Sequence, residues 1–462
     1  MSTDLPERFV SGLREAVGEA YLRADVTSLG VYGQDALGIG HPPDLIVLPA
    51  NTQEISSIAR LCHEHRVPMV VRGAGTGYTG GAVPTRGGVV ISMERLNRIL
   101  EIDQVNLLAV VEPHVITGDL QRAVEALGLF YPPDPASLDR SSIGGNVAEC
   151  AGGPRAFKYG TTKRYVLALE AVLPTGEIIE TGSKAVKNVV GYDLTQLLVG
   201  SEGTLAIITR ITVRLVPKPL AQGTLLAMFA DIQGAVDAVT TLIQRRVVPA
   251  AIELIDADSL LAVQEHTGQE IALPGTGAVI IVEVDGSQAA VDEDIDRVAT
   301  ACRDAGAMRV TLASTAGERD RLWDIRREIS MGLRATGLLK ISHDVVVPRG
   351  RVPELFAVVQ ALKAEYRLRI ASFGHAGDGN IHVNLMVDRT DPDELARAKQ
   401  AERVLFERVV ALEGSISGEH GIGFAKAPYL EIELSPDEIA LMKRVKTAFD
   451  PHGILNPGKI FP

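Results

Sequence analysis

The chain has 462 residues, too many for one hydrophobic core, so two or more domains are expected. Apolar residues make up 46% and charged residues 23%, which fits a globular protein and excludes a disordered or fibrous one. A net charge of −12 argues against a nucleic-acid partner, and three scattered cysteines (Cys62, Cys150, Cys302) argue against a zinc finger, an iron–sulfur cluster or a disulfide framework and fit a reducing, cytoplasmic compartment.

The N-terminus, Met1-Ser-Thr-Asp-Leu-Pro-Glu-Arg8, has no basic stretch leading into an apolar one, so no secretory signal is expected. Residues 1–40 read as an N-terminal helical segment, with helix over 7–22 and loop beyond. Next comes a short buried strand over 45–48; Asn51 and Glu54, in capping-box spacing, then open a helix through His65. A strand over 68–71 runs directly into Arg72-Gly-Ala-Gly-Thr-Gly-Tyr-Thr-Gly-Gly81. Strands over 88–92 and 107–111, a helix over 117–127, and strands over 166–173 and 207–216 follow. The apolar stretch 197–213 is broken by Glu202 and Arg210, so no transmembrane segment is expected, and contact with a membrane would be peripheral. Pro217-Lys-Pro219 interrupts regular structure and marks a domain boundary, which sets the first domain at 41–220.

The second half has a different rhythm. Strand–helix–strand units over 224–254 and 278–312 predict an antiparallel sheet with covering helices in a domain spanning 221–415. A helix over 318–333, a strand over 344–347, a helix over 352–365 and two strands around a turn, 370–374 and 381–387, complete it. Residues 416–462 read as a C-terminal helical segment. The fold class is α+β.

Glycines cluster at 73–81, 144–153, 200–203 and 374–379. Successive amides in a loop such as 72–81, directly after a strand, form a concave nest for an anion, whereas a mobile surface loop would carry Ser, Asn and Lys. No Gly-Lys-Ser/Thr is present for a Walker A loop. Gly75-x-Gly77-x-x-Gly80 has Rossmann spacing, but Gly81-Ala-Val-Pro-Thr-Arg-Gly-Gly88 cannot be a helix. The loop would hold a pyrophosphate without a helix behind it, and NAD is not the expected cofactor.

In Gly374-His-Ala-Gly-Asp-Gly-Asn-Ile-His-Val-Asn384, hairpin chemistry explains Asp378, Gly379 and Asn380 but not the two histidines. His382 and Asn384 share one face of a strand, and His375 can reach that face across the turn. Glu419, in Gly418-Glu-His-Gly-Ile-Gly423, can complete a two-His, one-carboxylate set suited to a divalent zinc, manganese or iron ion. The alternative is a pair of polar hairpin histidines and an ordinary Glu-His turn.

Four segments in order, 72–81, Pro132-Pro-Asp-Pro135, Ser142-Ile-Gly-Gly-Asn-Val-Ala-Glu-Cys-Ala-Gly-Gly153 and Gly200-Ser-Glu-Gly-Thr-Leu-Ala-Ile-Ile208, resemble the FAD-binding domain of the vanillyl-alcohol oxidase superfamily, the PCMH type, in which two α/β subdomains wrap an extended FAD. The resemblance implies that Gly73, Gly75, Thr76, Gly77, Gly80 and Gly81 cradle the pyrophosphate. It implies that Pro133, Asp134, Gly145, Asn146 and Gly153 border the ribityl chain and flavin ring, and that Glu202, Gly203 and Ile207 meet the adenosine end. The pyrophosphate loop has neither His nor Cys, so the FAD is expected to be non-covalent, with Cys150 a structural residue.

The 374–384 and 418–423 segments and Leu455-Asn-Pro-Gly-Lys459 resemble the C-terminal domain of FAD-linked oxidases, as found in the glycolate oxidase flavin subunit, D-lactate dehydrogenases and D-2-hydroxyglutarate dehydrogenase. This resemblance implies a D-2-hydroxy acid dehydrogenase or oxidase. His375, His382 and Glu419 would bind the metal, Asn384 would contact substrate, His420 would be the general base, and Asn456 would join the cofactor site. Leu322-Trp-Asp-Ile-Arg-Arg-Glu328 resembles the family's Trp-x-x-Arg-Glu helix, which makes Arg326 the clamp for the substrate carboxylate, with Ser330 one turn on. The competing reading of this helix is a solvated face with mixed charges. Lys340 stands where the family pattern departs, since Ser342 occupies the place two residues before Asp344.

The expected partners are a small 2-hydroxy acid and an electron acceptor, which is a quinone, an electron-transfer protein or oxygen. The chain would be a homodimer or a subunit of a larger oxidase complex. Two further readings are a non-redox FAD-dependent synthase of the same superfamily and a flavin-carrying subunit without catalysis of its own.

Overall fold

The structure is a computed structural model, and it describes residues 5–461. The chain divides into two compact units. One comprises the residues up to Gly152, Thr161–Lys218 and the residues from Glu419 on, and the other comprises Gly153–Gly160 and Pro219–Gly418.

The first unit holds two main sheets. One has four strands in the order Leu22–Arg23, Leu45–Val47, Val89–Ser92, Met69–Arg72, and its three longer strands run parallel. The helix Thr52–His65 lies over this sheet and buries Ile55, Ile58, Ala59 and Cys62 against Val47, Met69 and Ile91. Its start has the expected N-cap, but the reciprocal half of a capping box is replaced, since Glu54 accepts the Ala50 amide rather than that of Asn51. Asn51 Oδ1 accepts the Glu54 amide at 2.9 Å, and Glu54 Oε1 accepts Asn51 Nδ2 at 2.9 Å. The second sheet is antiparallel, ordered Ile99–Asp103, Leu108–Val111, Ile207–Arg214, Val166–Val172, Ile178–Gly182.

The second unit is built on a seven-stranded sheet ordered Arg309–Leu312, Ala221–Phe229, Ala278–Gly286, Ala251–Asp256, Arg369–His375, Asn380–Val387, Leu339–Val346. Every pairing in it is antiparallel, as the strand–helix–strand rhythm predicts. Helices Ala257–Thr267 and Ala316–Ala335 lie on one face, where Ile255, Phe373 and Ala371 pack with Leu260, Val263, Ile329 and Leu333. The segment Gly153–Gly160 belongs to this unit and is pinned there by Asp285, which accepts the Tyr159 hydroxyl at 2.6 Å and pairs with Lys158.

Several element expectations need correction. The first helix stops at Val17 rather than residue 22, because Gly18 takes φ +85° and turns the chain. Strand 344–347 begins five residues earlier, at Leu339. The polar run Lys340-Ile-Ser-His reads as loop in isolation, but each residue finds a partner on Asn380–Val387. Ile99–Asp103 and Ile178–Gly182 are edge strands, half-exposed, whose mixed pattern gives no periodic signal. Within 416–462 the α-helix is confined to Leu430–Glu433 and Pro436–Phe449, and the irregular flanks carry Glu419, His420 and Asn456.

Candidate active site

In the first unit the strand Met69–Arg72 opens into the glycine loop. Gly75 and Gly80 take φ of +67° and +79°, which side-chain-bearing residues rarely adopt. A Cβ on Gly80 would stand 2.0 Å from the Phe424 ring, one on Gly73 2.5 Å from Ser142 Oγ, and one on Gly81 2.8 Å from Glu149 Oε1. Thr79, Gly80 and Gly81 are buried, so the loop is packed on both flanks and is no mobile surface turn. Ser142 caps the helix Ile143–Glu149, with Oγ accepting the Gly145 amide at 3.3 Å. Inside that helix Asn146 is buried and donates to Thr117 Oγ1 at 2.7 Å. Pro133 lies in the adjoining loop, where its carbonyl accepts Gln121 Nε2 at 2.8 Å.

The C-terminal residues of this unit close onto the same elements. Glu202, buried at φ +52°, accepts the amides of Ile422 and Gly423 at 2.8 and 2.6 Å. Asn456 Nδ2 bridges the carbonyls of Gly81 and Glu202 at 3.0 and 2.8 Å, so it ties two glycine motifs together. Gly203 adopts φ +64°, and Ile207 starts the central strand of the five-stranded sheet. The His420 carbonyl accepts the Thr79 hydroxyl at 3.2 Å, and the His420 ring stacks on Tyr78. Glu419 lies against Gly152, where a Cβ would stand 2.5 Å from its Oε2. Sequence reasoning did not single out Glu149 or Asp35. Burial raises Glu149 well above the usual carboxylate range, and Glu202 beside it adds to the shift. Burial lifts Asp35 to about 6; its Oδ2 has no hydrogen-bond partner and faces Gly77.

In the second unit one face of the sheet gathers a polar set. The cross-strand pairs are Ser342 with Asn384, Asp344 with His382, and Glu253 with His375. The His375 and His382 rings stand edge to face with centroids 5.3 Å apart, as the hairpin reading requires. Asp344, fully buried, is 3.7 Å from His382 Nδ1 and accepts the amide of Gly418 at 2.9 Å, one peptide before Glu419. Asn384 is fully buried too; its Oδ1 accepts the Ser342 hydroxyl at 2.8 Å, and its Nδ2 donates to the Ala371 and His382 carbonyls.

Arg326 reaches this face from the helix Ala316–Ala335. Trp323 fixes the helix by donating from Nε1 to Glu283 at 2.9 Å. Arg326 is 8% exposed, donates from Nε to Glu253, and lies 4.5 Å over the Phe373 ring. The solvated-face reading therefore fails at this position; Arg327 is the residue that pairs with Asp324 on the exposed side. Burial works to raise Glu253, but His375 and Arg326 outweigh it and hold the carboxyl at about 2. Lys340 donates to Ser330 Oγ at 3.3 Å, and burial with Arg334 and Arg326 nearby lowers it to about 8. Sequence reasoning missed Glu253. The available signal was a lone charge inside the apolar strand Ala251-Ile-Glu-Leu-Ile.

The family model described as FAD linked oxidases, C-terminal domain, matches residues 218–460, and the FAD binding domain model matches residues 43–182. The chain belongs to the FAD-linked oxidases. This FAD-linked oxidase is 46% identical to the glycolate oxidase subunit GlcD of Bacillus subtilis, over 91% of this chain and 89% of that one. It is 36% identical to a D-lactate dehydrogenase of Anaerostipes hadrus, over 90% of this chain and 89% of the relative. In fold it is similar to p-cresol methylhydroxylase with substrate bound, with a TM-score of 0.81 at 19% identity covering 100% of this chain and 98% of that one. It is also similar to an alkyldihydroxyacetonephosphate synthase, with a TM-score of 0.78 at 20% identity covering 99% and 86%. These likenesses match the expected α+β architecture, a PCMH-type FAD-binding domain with a C-terminal oxidase domain.

The residues present fit FAD. The Cβ position of Gly77 meets no atom nearer than Asp35 Oδ2 at 3.8 Å, so the loop leaves space there beside a buried carboxylate oxygen without a hydrogen bond. A divalent ion fits the second unit's donors, two imidazoles of which one is hydrogen-bonded to buried Glu253 and the other lies 3.7 Å from buried Asp344. Among the described residues no helix is long and apolar enough to cross a membrane.

Proposed function

We propose that this FAD-linked oxidase converts a small D-2-hydroxy acid, of the class of D-lactate or glycolate, to the 2-oxo acid. One observation carries the reading: Arg326, a guanidinium 8% exposed, is held at the polar face that bears His375 and His382. Its Nε is committed to Glu253, which leaves the Nη edge to pair with a carboxylate. The relatives named as glycolate oxidase subunit and D-lactate dehydrogenase support the substrate class.

Non-covalent FAD, when bound along Gly73–Gly81, Gly145–Gly153 and Glu202–Ile207, supplies the acceptor for the α-hydrogen and its electron pair. A zinc, manganese or iron ion on His375, His382 and Glu419 would polarise the substrate hydroxyl. The protein's own part is to position and to move one proton. Arg326 orients the carboxylate. Asn384, held rigid by Ser342 and two carbonyls, forms a polar wall of the site. His420, braced by Tyr78 and Thr79, takes the hydroxyl proton at its imidazole. Electrons then pass to a quinone, an electron-transfer protein or oxygen.

The test is the visible spectrum of the purified protein without oxygen, before and after D-lactate, glycolate, D-2-hydroxyglutarate and L-lactate are added singly. Bleaching by glycolate or a D-acid, with release of the 2-oxo acid, supports the proposal. A flavin bleached by none of them rejects it in favour of the non-redox synthase or carrier reading.

A further inference from the structure

Glu253 stands between the two functional groups of the second unit. It sits mid-strand in Ala251–Asp256 with no exposed surface, opposite His375 on the neighbouring strand. Its Oε1 accepts from His375 Nδ1 at 2.5 Å, and its Oε2 accepts from Arg326 Nε. Each carboxylate oxygen is thus assigned to a different partner, and each partner lies on a different element. His375 comes from the sheet, and Arg326 comes from the covering helix.

We infer that Glu253 is a positioning residue whose single carboxylate sets the metal-binding nitrogen of His375 and the substrate-binding edge of Arg326 together. The inference rests on the roles proposed above for His375 and Arg326. A carboxylate accepts only, so Nδ1 of His375 must carry the proton, and Nε2 keeps its lone pair for an ion. A ligating imidazole is commonly oriented and made more basic by such a partner. The same carboxylate, by taking Nε of Arg326, fixes the plane of the guanidinium and leaves the edge formed by its two terminal nitrogens to a substrate. Phe373 beneath the guanidinium, 4.5 Å from its centre, limits it to that plane. One buried group therefore keeps the distance between carboxylate clamp and hydroxyl-side ion constant, and that distance is what a 2-hydroxy acid, with its two oxygen functions on adjacent carbons, requires.

The experiment uses the FAD-loaded protein and two variants, Glu253→Gln and Glu253→Asp. Bound FAD is read from the spectrum, metal retention from chelator titration, and KM and kcat from steady-state rates with the acid that bleaches the unaltered protein. Glu253→Gln keeps the length but loses the charge and turns a donor toward one partner. It is expected to keep FAD, to raise KM at least 10-fold, and to lose metal at 10–100-fold lower chelator concentration. Glu253→Asp, one methylene shorter, can reach only one partner. It is expected to impair either KM or metal retention, with the other near the unaltered value. Both variants matching the unaltered protein in KM and metal retention would overturn the inference while leaving the proposed function standing. Loss of FAD in both, with no separation of the two readouts, would also overturn it, since the role would then be structural. An unaltered protein that no 2-hydroxy acid reduces would instead overturn the functional proposal beneath it, and the inference would fall with it.

Discussion

The imidazole of His420 lies on the ring of Tyr78, with centroids 5.4 Å apart and planes 28° from parallel, and its carbonyl is held by the hydroxyl of Thr79. A residue from the C-terminal segment is thereby fixed to the glycine loop, 341 positions earlier in the chain. Replacing His420 with Ala is expected to leave FAD bound and to lower kcat by about 100-fold or more, the range of general base catalysis. Steady-state rates beside the flavin spectrum check this, and unchanged turnover would remove His420 from the base role.

Arg326 allows a test of clamp against charge. Arg326→Lys keeps a cation but loses the planar fork, so KM should rise by about 10-fold or more with FAD content unchanged. Arg326→Met leaves the buried Glu253 with one partner fewer and should destabilise the protein by about 3 kcal/mol. Denaturant unfolding measures the second effect and steady-state kinetics the first.

Gly80 combines a left-handed backbone, φ +79°, with a Cβ position 2.0 Å from Phe424. Gly80→Ala meets a backbone penalty of about 1–2 kcal/mol before the clash is counted. The variant should melt at lower temperature and lose FAD on gel filtration. Full FAD retention would mean that the loop yields, contrary to a preformed cradle.

Lys340 gives a pH dependence. Burial first, then Arg334 and Arg326, brings its folded-state pKa down to about 8, against a usual value of 10.5. Between these values the unfolded chain holds the proton and the folded chain does not, so the stability contribution from Lys340 rises with pH across that window and is flat below it. Denaturant unfolding should show that contribution growing across about pH 8–10, and Lys340→Met should remove the growth. An unaltered slope in the variant would assign the titration elsewhere.

Non-covalent flavin has its own check. Acid precipitation should release all FAD to the supernatant, because the 72–81 loop offers neither His nor Cys and Cys150 lies beside Thr161, its Sγ 3.4 Å from that hydroxyl. Flavin retained in the pellet would reveal a covalent bond.

Local chemistry determined much of this protein by itself. The glycine loop after a strand, the N-cap at Asn51, the hairpin that brings the rings of His375 and His382 together and the antiparallel rhythm of residues 221–387 all depend on neighbours a few positions apart, and short-range φ/ψ preference, capping and period-2 alternation are written in sequence. Tertiary structure alone decided which polar groups became partners. For Arg326 the competing reading, a solvated charged helix face, falls only when the strand carrying Glu253 comes beside it. Glu202 reads as one letter of a glycine motif, yet its carboxylate is committed to amides 220 and 221 residues away. Lys340 and Ser342 read as loop until the strand of Asn384 pairs with them. Buried charges and edge strands are satisfied only by groups distant in the chain, and no local periodicity records where those groups will be.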